Sequence, residues 1–443
     1  MTATAVEGVT LTTVLADRAV HMVFQPIIDL ASGQVVGLEA LARGPVGSTL
    51  ESPGALFGAA RVAGRTAELD WICRAAAFRA LMEATVPPSM SLFVNTEPES
   101  LSAECPADLA PVVRRAESLL RVFVEVNDRA LAADPAGLLA AADRARDMGW
   151  GIAVDDVGSS RAPIAMLPVL HADVVKLDVH LVRSAELADA SAVVMATLRH
   201  VEQTGASLCV ERIETEDDLR WARSVGAVYG QGRFLGEPGP LAEQYPAPRA
   251  AVPLVAPSVG DAVIASPFDL MAGSPTRWID VEHYDELERW AAFGSIAPGA
   301  APVVLVGLGR GAFDQGRAAT FPQDTRPLLL LAFSAGIVDD PAPGVRGIRL
   351  LPDDPLADER FLVVLSEKGG LAVHGHGGAD GVLAVQLSQD HAVVHGIARH
   401  LIRRLPAPDR DGYALPPPHA PAPAVIDEVE AAARSGRWLG RRR

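Results

Sequence analysis

Between residues 23 and 235, short apolar segments of strand length alternate with segments rich in Ala, Leu, Arg and Glu. Within the segments rich in Ala, Leu, Arg and Glu, apolar residues recur at spacings of three and four, which is typical of amphipathic crossover helices. The predicted strands are 23–28, 35–43, 91–95, 122–126, 151–156, 172–178, 207–211 and 227–231, and the predicted helices are 71–83, 135–148, 191–203 and 216–225. Continuous apolar strands that alternate with helices over this length predict an α/β fold, a (β/α)₈ TIM-type barrel with its strands parallel.

A change of composition after Pro240 marks the end of this pattern, because the next residues are rich in Pro and Ala and have no period. Apolar runs then return at 302–306, 327–333, 361–365 and 381–387, with a helical pattern at 392–404. These runs predict a smaller mixed α/β domain. We therefore divide the chain into an N-terminal segment (1–19), a barrel (20–245), a linker (246–265), a second domain (266–405) and a Pro-rich tail with a short basic helix at 425–435 (406–443).

The composition and net charge of the chain limit the kinds of molecule that it can bind. The chain has 443 residues, 49% of them hydrophobic, and a formal net charge of -16. The negative charge argues against a large surface for DNA, RNA or lipid headgroups, so an anionic ligand would need a metal or a few placed cations. The sequence shows neither a signal-peptide pattern nor an apolar stretch of membrane-spanning length, and its three scattered cysteines form no disulfide framework. We expect a cytoplasmic protein without a membrane partner.

Polar residues of ligand type cluster where the apolar runs end. They are Glu39, Arg43, Asn95, Glu125, Asp155, Asp156, Lys176, Asp178, Glu211, Glu214 and Gln231. One such residue alone is typically a helix cap or a solvated side chain. A recurrence over seven successive strands favours a site instead, because the carboxyl ends of parallel barrel strands share one face.

The residue types at these positions indicate a divalent metal centre. Glu, Asp and Asn supply hard oxygen ligands, which Mg²⁺, Mn²⁺ and Ca²⁺ prefer. Adjacent Asp155 and Asp156 would point to opposite sides of a strand, so both can serve one site only if the chain turns before Gly158. Two metal ions bridged by a carboxylate would activate a water and neutralise a phosphodiester, and Lys176 and Glu211 could orient or deprotonate that water.

A series of motifs in the same order resembles one family. The motifs are Phe24-Gln25-Pro26-Ile27, Glu39-Ala-Leu-Ala-Arg43, Phe93-Val-Asn95, Val124-Glu125-Val-Asn-Asp128, Val154-Asp155-Asp156-Val-Gly158, Val175-Lys176-Leu-Asp178, Val210-Glu211-Arg-Ile-Glu214 and Gly230-Gln231-Gly. Residues 20–240 thus resemble an EAL domain, the bacterial phosphodiesterase that hydrolyses cyclic di-GMP to linear pGpG. The resemblance also implies a homodimer through the barrel.

The resemblance implies a role for each matching residue. Metal ligands for two Mg²⁺ or Mn²⁺ ions would be Glu39, Asn95, Glu125 and Asp155 at the first ion and Asp155 and Asp156 at the second. Glu211 would be the general base or a ligand of the second ion, and Lys176 would hold the nucleophilic water. The dinucleotide would contact Gln25, Leu41, Arg43 and Gln231, and Asp128, Asp178 and Glu214 would support the site.

Three departures from the family pattern concern the residues around the site. Asn127-Asp128 stands where the family usually has Thr-Glu, and residues 157–163 lack the usual aromatic residue and second glycine of the loop after the paired aspartates. Arg212 stands where the family has glycine, and it could contact a phosphate or point into solvent. Because the metal-ligand types persist, we expect a metal-dependent phosphodiesterase. The alternative is a catalytically impaired EAL module that acts as a cyclic di-GMP receptor or a protein-interaction domain.

The second domain carries weaker signals. Its motifs are Ser266-Pro-Phe-Asp-Leu270, Pro302-Val-Val-Leu-Val306 and Leu350-Leu-Pro-Asp-Asp-Pro-Leu356. With these motifs, residues 266–405 resemble the DICT domain, a sensory module found beside cyclic di-GMP enzymes, which implies regulation of the barrel and a signalling protein partner. Gly307-Leu-Gly309-Arg-Gly-Ala312 fits a relaxed dinucleotide fingerprint but equally a glycine-rich turn. His391 and His395, at helical spacing, could bind a metal or be ordinary core or surface histidines.

Overall fold

The structure is a computed structural model that describes residues 8–97, 100, 103–127, 134–158, 163–255, 266–309, 325–377 and 381–406. The predicted helix at 425–435 and the rest of the tail beyond residue 406 lie outside the described residues. Within the described ranges, every helix is too short or too polar to cross a bilayer.

Eight strands form a closed barrel in the order β1 to β8. They are β1 (His21–Asp29), β2 (Val35–Arg43), β3 (Ser91–Asn95), β4 (Arg121–Val126), β5 (Gly151–Val157), β6 (Val174–Asp178), β7 (Ser207–Glu211) and β8 (Tyr229–Gly230). The predicted eight-stranded barrel is therefore confirmed. Strands β2 to β8 run parallel.

Strand β1 corrects the prediction of an all-parallel barrel, because it runs antiparallel to both β2 and β8. The cause is the short turn that joins β1 to β2. In this turn the Asp29 carbonyl accepts the N–H of Gly33, which has φ 71°. A connection of this length can join only antiparallel neighbours, whereas parallel neighbours need a long crossover.

The helices of the barrel follow the predicted alternation and cover its outside. They are α1 (Leu11–Ala16), α2 (Pro53–Val62), α3 (Thr66–Glu83), α4 (Ala110–Leu119), α5 (Pro135–Asp147), α6 (Leu167–Leu170), α7 (Val179–Ser184), α8 (Leu187–Thr204) and α9 (Glu216–Ser224). Helices α3, α5, α8 and α9 confirm the four predicted from apolar spacing, each with a bound shifted by a few residues.

The barrel interior contains an apolar layer beneath the polar strand ends. The layer consists of Ile27, Val36, Phe93, Phe123, Ala153, Val174, Cys209 and Tyr229. Phe123, for example, lies two positions before Glu125, and side chains two apart on a strand share one face. Val252, from the segment predicted as a linker, completes this layer and is fully buried. The Val252 carbonyl accepts a hydrogen bond of 3.1 Å from Arg121 Nε.

The second domain is built on a seven-stranded sheet in the order β12-β11-β10-β13-β14-β15-β9. Its elements are β9 (Arg277–Asp280), α10 (Val281–Ser295), β10 (Val303–Leu308), β11 (Leu329–Ser334), β12 (Arg346–Arg349), β13 (Arg360–Ser366), β14 (Gly369–Gly377), β15 (Val382–Ser388) and α11 (His391–Ile402). Strands β10, β11 and β12 are parallel and the other pairs antiparallel, so the predicted mixed α/β domain is confirmed. The sequence pattern missed α10, β9, β12 and β14.

Helix α11 joins the second domain to the barrel, where it packs on α5 and α6. Arg399 is 1% exposed, and its Nη2 lies 2.7 Å from Asp143 Oδ1 on α5. Its Nη1 donates to the Val169 carbonyl on α6. Val394, Ile397 and Leu401 of α11 belong to the same apolar cluster as the outer face of the barrel strands. The two domains therefore share one continuous core, although the exact boundaries we assign to them stay a prediction.

Candidate metal site at the carboxyl ends of the barrel strands

Lys176 is the centre of a buried cluster of carboxylates. Its Nζ lies 2.7 Å from Glu125 Oε1, 3.0 Å from Asp155 Oδ1, 3.1 Å from Glu211 Oε2 and 3.2 Å from Glu39 Oε2. The lysine and Glu125 side chains are fully buried. Five strands thus bring together five of the polar residues that the sequence placed at strand ends.

The geometry of the barrel explains this convergence. Parallel pairing places Asn95 opposite Glu125, and Lys176 opposite the interior residue Cys209, which precedes Glu211 by two positions. All these side chains point into the barrel. They lie one layer above the apolar layer that contains Phe123. Residues spread over nearly the whole barrel sequence consequently meet at one end of it.

Glu39 is held by two further polar contacts, which a chain of amides extends to the rim of the barrel. Asn95 Nδ2 donates to Glu39 Oε1 at 3.1 Å, and Gln231 Nε2 donates to Glu39 Oε2 at 2.6 Å. Gln231 Nε2 also lies 3.0 Å from Gln25 Oε1, and Gln25 Nε2 donates to the Gly236 carbonyl at 3.1 Å. Gln25 lies at the middle of β1 and pairs with Glu39 across the antiparallel β1–β2 ladder. These amides link the carboxylates to the rim of the barrel.

The cluster contains more acidic groups than basic ones, and this changes their pKa values. Burial raises the pKa of Glu125 well above its ordinary value, and the neighbouring Glu39 raises it further. Burial and the charge of Asp155 likewise raise the pKa of Glu211. For Lys176, burial alone would lower the pKa, but Asp155, Glu125 and the other two carboxylates raise it well above the usual value. One lysine cation therefore faces four carboxylates and does not neutralise them.

The donor set fits a divalent cation. Glu39, Glu125 and Asp155 can each present an oxygen such that the three atoms lie within 4.8 Å of one another, and this is the one such group of His, Cys, Asp or Glu found in the part of the chain that the structure describes. Glu125 Oε2 and Glu211 Oε1 are buried and accept no hydrogen bond. Buried carboxylate oxygens without partners are unfavourable unless they are protonated or bind a cation.

The backbone turns at Asp156, as required for two adjacent aspartates to lie near one site. Asp156 has φ 55° and Gly158 has φ 131°. The pairing of β5 with β6 shifts register between Val154 and Val157, which is the signature of a bulge. Burial and the charge of Asp155 raise the pKa of Asp156. The altered loop that follows lies largely outside the described residues, as does Asp128.

Four other predicted site residues occupy different surroundings. Leu41 and Arg43 lie near the end of β2, where Arg43 Nη1 donates to the Ala42 carbonyl at 2.8 Å. Glu214 is exposed, and its Oε2 lies 4.0 Å from His180 Nε2. Asp178 is fully buried and caps α7 by accepting the N–H groups of His180 and Leu181. The contacts of Asp178 and Glu214 are thus with the neighbouring loops and helix α7.

Arg212 contacts a residue that neither alternative from the sequence named. Its Nε lies 2.8 Å from Asp178 Oδ2, so the side chain is bound to a buried carboxylate although 58% of it is exposed. Its backbone has φ 54°, a left-handed conformation in which glycine is more favourable than arginine. The ion pair and the His180 contact to the Arg212 carbonyl at 3.0 Å hold this residue in place, directly after Glu211.

Asp218 is a supporting residue that the sequence analysis missed. It is 4% exposed, and its Oδ2 accepts hydrogen bonds from Thr215 Oγ1 at 2.8 Å and from the Thr215 N–H at 2.9 Å. Its Oδ1 lies 2.8 Å from Arg183 Nη1. The capping-box spacing of Thr215 and Asp218 is a sequence signal that could have identified it. This network fixes the loop that leaves Glu211.

The family of the barrel follows from comparison with known proteins. The family model of the EAL domain matches residues 9–238 of the 443, more than half of the chain. The chain therefore belongs to the EAL-domain family.

The chain is also similar to individual proteins over about half of its length. The chain is 29% identical over 221 residues to the probable cyclic di-GMP phosphodiesterase PdeB of Escherichia coli K12, a match that covers 49% of this chain and 42% of that protein. The chain thus spans less than half the length of this curated relative. Among solved structures, it is similar to the PaMucR phosphodiesterase in complex with c-di-GMP, with 25% identity, a TM-score of 0.45 and coverage of 52% of this chain and 96% of the other. A manganese and c-di-GMP complex of Klebsiella pneumoniae BlrP1 gives 27% identity and a TM-score of 0.44, with coverage of 50% and 56%.

Proposed function

We propose that this protein hydrolyses cyclic di-GMP to linear pGpG at a two-metal carboxylate site in the barrel. The observation that carries the proposal is the convergence of Glu39, Glu125, Asp155 and Glu211 on Lys176, with buried carboxylate oxygens that lack partners. Membership of the EAL family and the phosphodiesterase relatives support the choice of substrate.

Each residue of the cluster takes a role that its position supports. Glu39, Asn95, Glu125 and Asp155 would hold a first Mg²⁺ or Mn²⁺ ion, and Asp155 and Asp156 a second. Bound ions would neutralise the phosphodiester and lower the pKa of a water. Gln25, Leu41, Arg43 and Gln231 would contact the dinucleotide at the rim.

The chemical step uses Lys176 and Glu211. Lys176 orients the attacking water by a hydrogen bond, and Glu211, whose pKa is raised by burial and by Asp155, accepts its proton. The water oxygen forms a bond to phosphorus, the bond from phosphorus to O3′ breaks, and O3′ leaves as a hydroxyl that takes up the proton given to Glu211. The product is a linear dinucleotide with a 5′-phosphate.

The rest of the chain is proposed to regulate this site. The second domain is a DICT-like sensory module in this proposal, and the Arg399 contacts to Asp143 and Val169 give it a physical connection to the barrel. We further propose a homodimer through the barrel and a signalling partner for the second domain. Light scattering that returns only monomer would contradict the dimer.

The test is turnover by the full-length protein with Mn²⁺ and with Mg²⁺, followed as pGpG by chromatography while calorimetry measures cyclic di-GMP binding. Glu211→Gln should lower the turnover about 100-fold or more, as expected for loss of a general base, with the dissociation constant nearly unchanged. Glu202→Gln, an exposed residue of α8, is the matched control and should keep full activity. Tight binding by the wild type without product would make the chain a receptor and contradict hydrolysis.

A further inference from the structure

Four histidines from both domains come together where α11 packs on the barrel. His171 follows α6, His200 lies on α8, and His391 and His395 lie on α11. His171, His200 and His395 are 6%, 4% and 2% exposed, and the ring centroids of His391 and His395 are 3.7 Å apart. We refer to these four residues as the interdomain histidine cluster. Two come from each side of the domain contact.

Several ring nitrogens of this cluster are buried without a hydrogen-bond partner. They are both nitrogens of His200, Nδ1 of His395 and Nε2 of His391. A buried imidazole in such surroundings is much more stable neutral than charged. Burial lowers the pKa of His200 to about 3, with further lowering by His391 and His171. Burial also lowers the pKa of His395 well below its ordinary value.

Two arginines near the interdomain histidine cluster also disfavour a positive charge on His171. Burial, then Arg399 on α11 and Arg146 on α5, lower the pKa of His171 to about 3, against a smaller raising effect of Asp143. Asp143 is already paired with Arg399 and with Arg403.

Two further carboxylates near α11 are also engaged. Asp390 caps α11 by accepting the Val393 N–H. It also raises the pKa of His391, but burial lowers that pKa more. Asp269, on the 3-10 helix beside α11, accepts the Ser266 N–H. Asp143 and Asp390, the carboxylates whose charge acts on His171 and His391, therefore already hold other partners in the closed contact and offset the cost of a proton on these rings only in part.

The same contact holds the chain segment that leaves the metal site. Strand β5 ends at Val157, directly after Asp155 and Asp156, and the chain returns at residues 163–171 to form a 3-10 turn and α6. Arg399 donates to the Val169 carbonyl, and Arg146 donates to the His171 carbonyl. Helix α11 therefore fixes the far end of the loop that begins at the two aspartates.

We propose that the interdomain histidine cluster is a proton-sensitive lock between the second domain and the barrel. With all four rings neutral the contact is closed. Acidification charges the rings, opens the contact and frees residues 163–171. The effect of this opening on catalysis rests on the proposed phosphodiesterase function, whereas the opening itself does not.

The sign of the pH dependence follows from the lowered pKa values. In the open state the histidines regain their ordinary pKa of 6.5, so the open state binds more protons than the closed state. The closed contact is therefore fully stable above this pH and weakens as the pH falls through it. Each histidine that gains a proton on opening weakens the contact about tenfold per pH unit below that value.

The test is hydrogen exchange of the full-length protein at pH 7.5 and pH 5.5, corrected for the intrinsic exchange rates. Amides of α6 and α11 should exchange about tenfold faster or more at the lower pH, while those of β2 to β7 stay protected. The double variant His200→Leu, His395→Leu should lose most of this response. The control variant His283→Gln replaces an exposed histidine of α10 that is bound to Asp280, and it should respond like the wild type.

Two results would overturn the lock: equal corrected exchange at both pH values, or an undiminished response in the double variant. If the double variant loses protection of β2 to β7, His391→Gln replaces it, and its response should be smaller than that of the wild type. Turnover of cyclic di-GMP is measured in the same samples at pH 7.5. An acid response without any turnover would support the lock and contradict the phosphodiesterase, and turnover without an acid response would do the reverse.

Discussion

The carboxylate cluster around Lys176 and the interdomain histidine cluster are both buried groups of ionisable side chains, but they avoid the cost of burial in opposite ways. The first keeps its lysine charged by contacts with four carboxylates. The second keeps His200 and His395 neutral, because burial lowers the pKa of each imidazole. A buried cluster with surplus negative charge attracts cations, whereas a buried neutral cluster is sensitive to protons. This difference is the reason why we propose metal chemistry for the first cluster and regulation for the second.

Removal of the Lys176 charge should have the largest effect. In Lys176→Met, the four carboxylates lose their buried cation, and the free energy of unfolding should fall by about 3–5 kcal/mol. Urea denaturation followed by circular dichroism measures this loss. Saturating Mn²⁺ should restore part of the stability, because it replaces the lost charge. A loss below about 1 kcal/mol would mean that the carboxylates are not ionised in the folded protein.

Arg399→Met tests the contact that surrounds the histidine cluster. The buried arginine donates to the Val169 carbonyl and pairs with Asp143, so its loss should lower the free energy of unfolding by about 1.5–3 kcal/mol. The matched control is Arg403→Met, because Arg403 pairs with the same Asp143 from a partly exposed position. The control should cost less than about 1 kcal/mol. Equal losses in urea denaturation would contradict the special role of Arg399.

Mild acid should act on the two clusters with opposite signs. The folded-state pKa values of Glu125 and Glu211 lie above the ordinary value of 4.5, so the folded barrel binds protons that the unfolded chain does not. Without metal, the contribution of these two carboxylates to the stability of the barrel should rise as the pH falls toward 4.5, by at most about 1.4 kcal/mol per pH unit for each carboxylate. The domain contact should weaken over the same range.

Urea denaturation of the barrel in a chelator, beside hydrogen exchange of α11, separates these two trends. With Mn²⁺ present, the trend of the barrel should reverse, because protons compete with the metal for the same carboxylates. The double variant Glu125→Gln, Glu211→Gln is the comparison that removes the carboxylates but keeps the histidines: if it had the same pH dependence of stability as the wild type from pH 7.5 to 5.5, the charge state assigned to the cluster would be contradicted.

Arg212 offers the smallest and most specific test. Arg212→Gly removes the ion pair to Asp178 but relieves the left-handed backbone, so the two effects should nearly cancel. Arg212→Ala removes the ion pair and keeps the backbone strain, and it should be about 1 kcal/mol less stable than the glycine variant. Thermal unfolding compares the two. Equal stability of both variants would mean that the backbone at this position is not strained.

The barrel cluster could be predicted from the sequence because it depends on periodicity. Glu125, Asp155 and Glu211 each end a continuous apolar run, and strand alternation alone places such ends on one face. The antiparallel course of β1 was not predicted, since a strand that ends in a short turn has the same apolar pattern in either direction. The pairing of Arg212 with Asp178 was missed because it depends on the path of a loop.

The interdomain histidine cluster could not be predicted from the sequence. His391 and His395 could be placed on one helical face, but nothing in the local pattern connects them to His171 and His200 in another domain. Their meeting results from the packing of α11 on the barrel, a contact between elements more than 200 positions apart. The buried role of Val252 within a Pro- and Ala-rich segment was hidden for the same reason.

The most direct test of the central claim, that the barrel cluster is the divalent metal site, is a titration of the full-length protein with Mn²⁺ at pH 7.5, read by electron paramagnetic resonance of the free ion. The account predicts that the wild type and the His200→Leu, His395→Leu variant bind Mn²⁺ equally, and that Asp155→Asn binds it at least about tenfold more weakly. Equal binding by Asp155→Asn and the wild type, or loss of binding in the histidine variant alone, would contradict it.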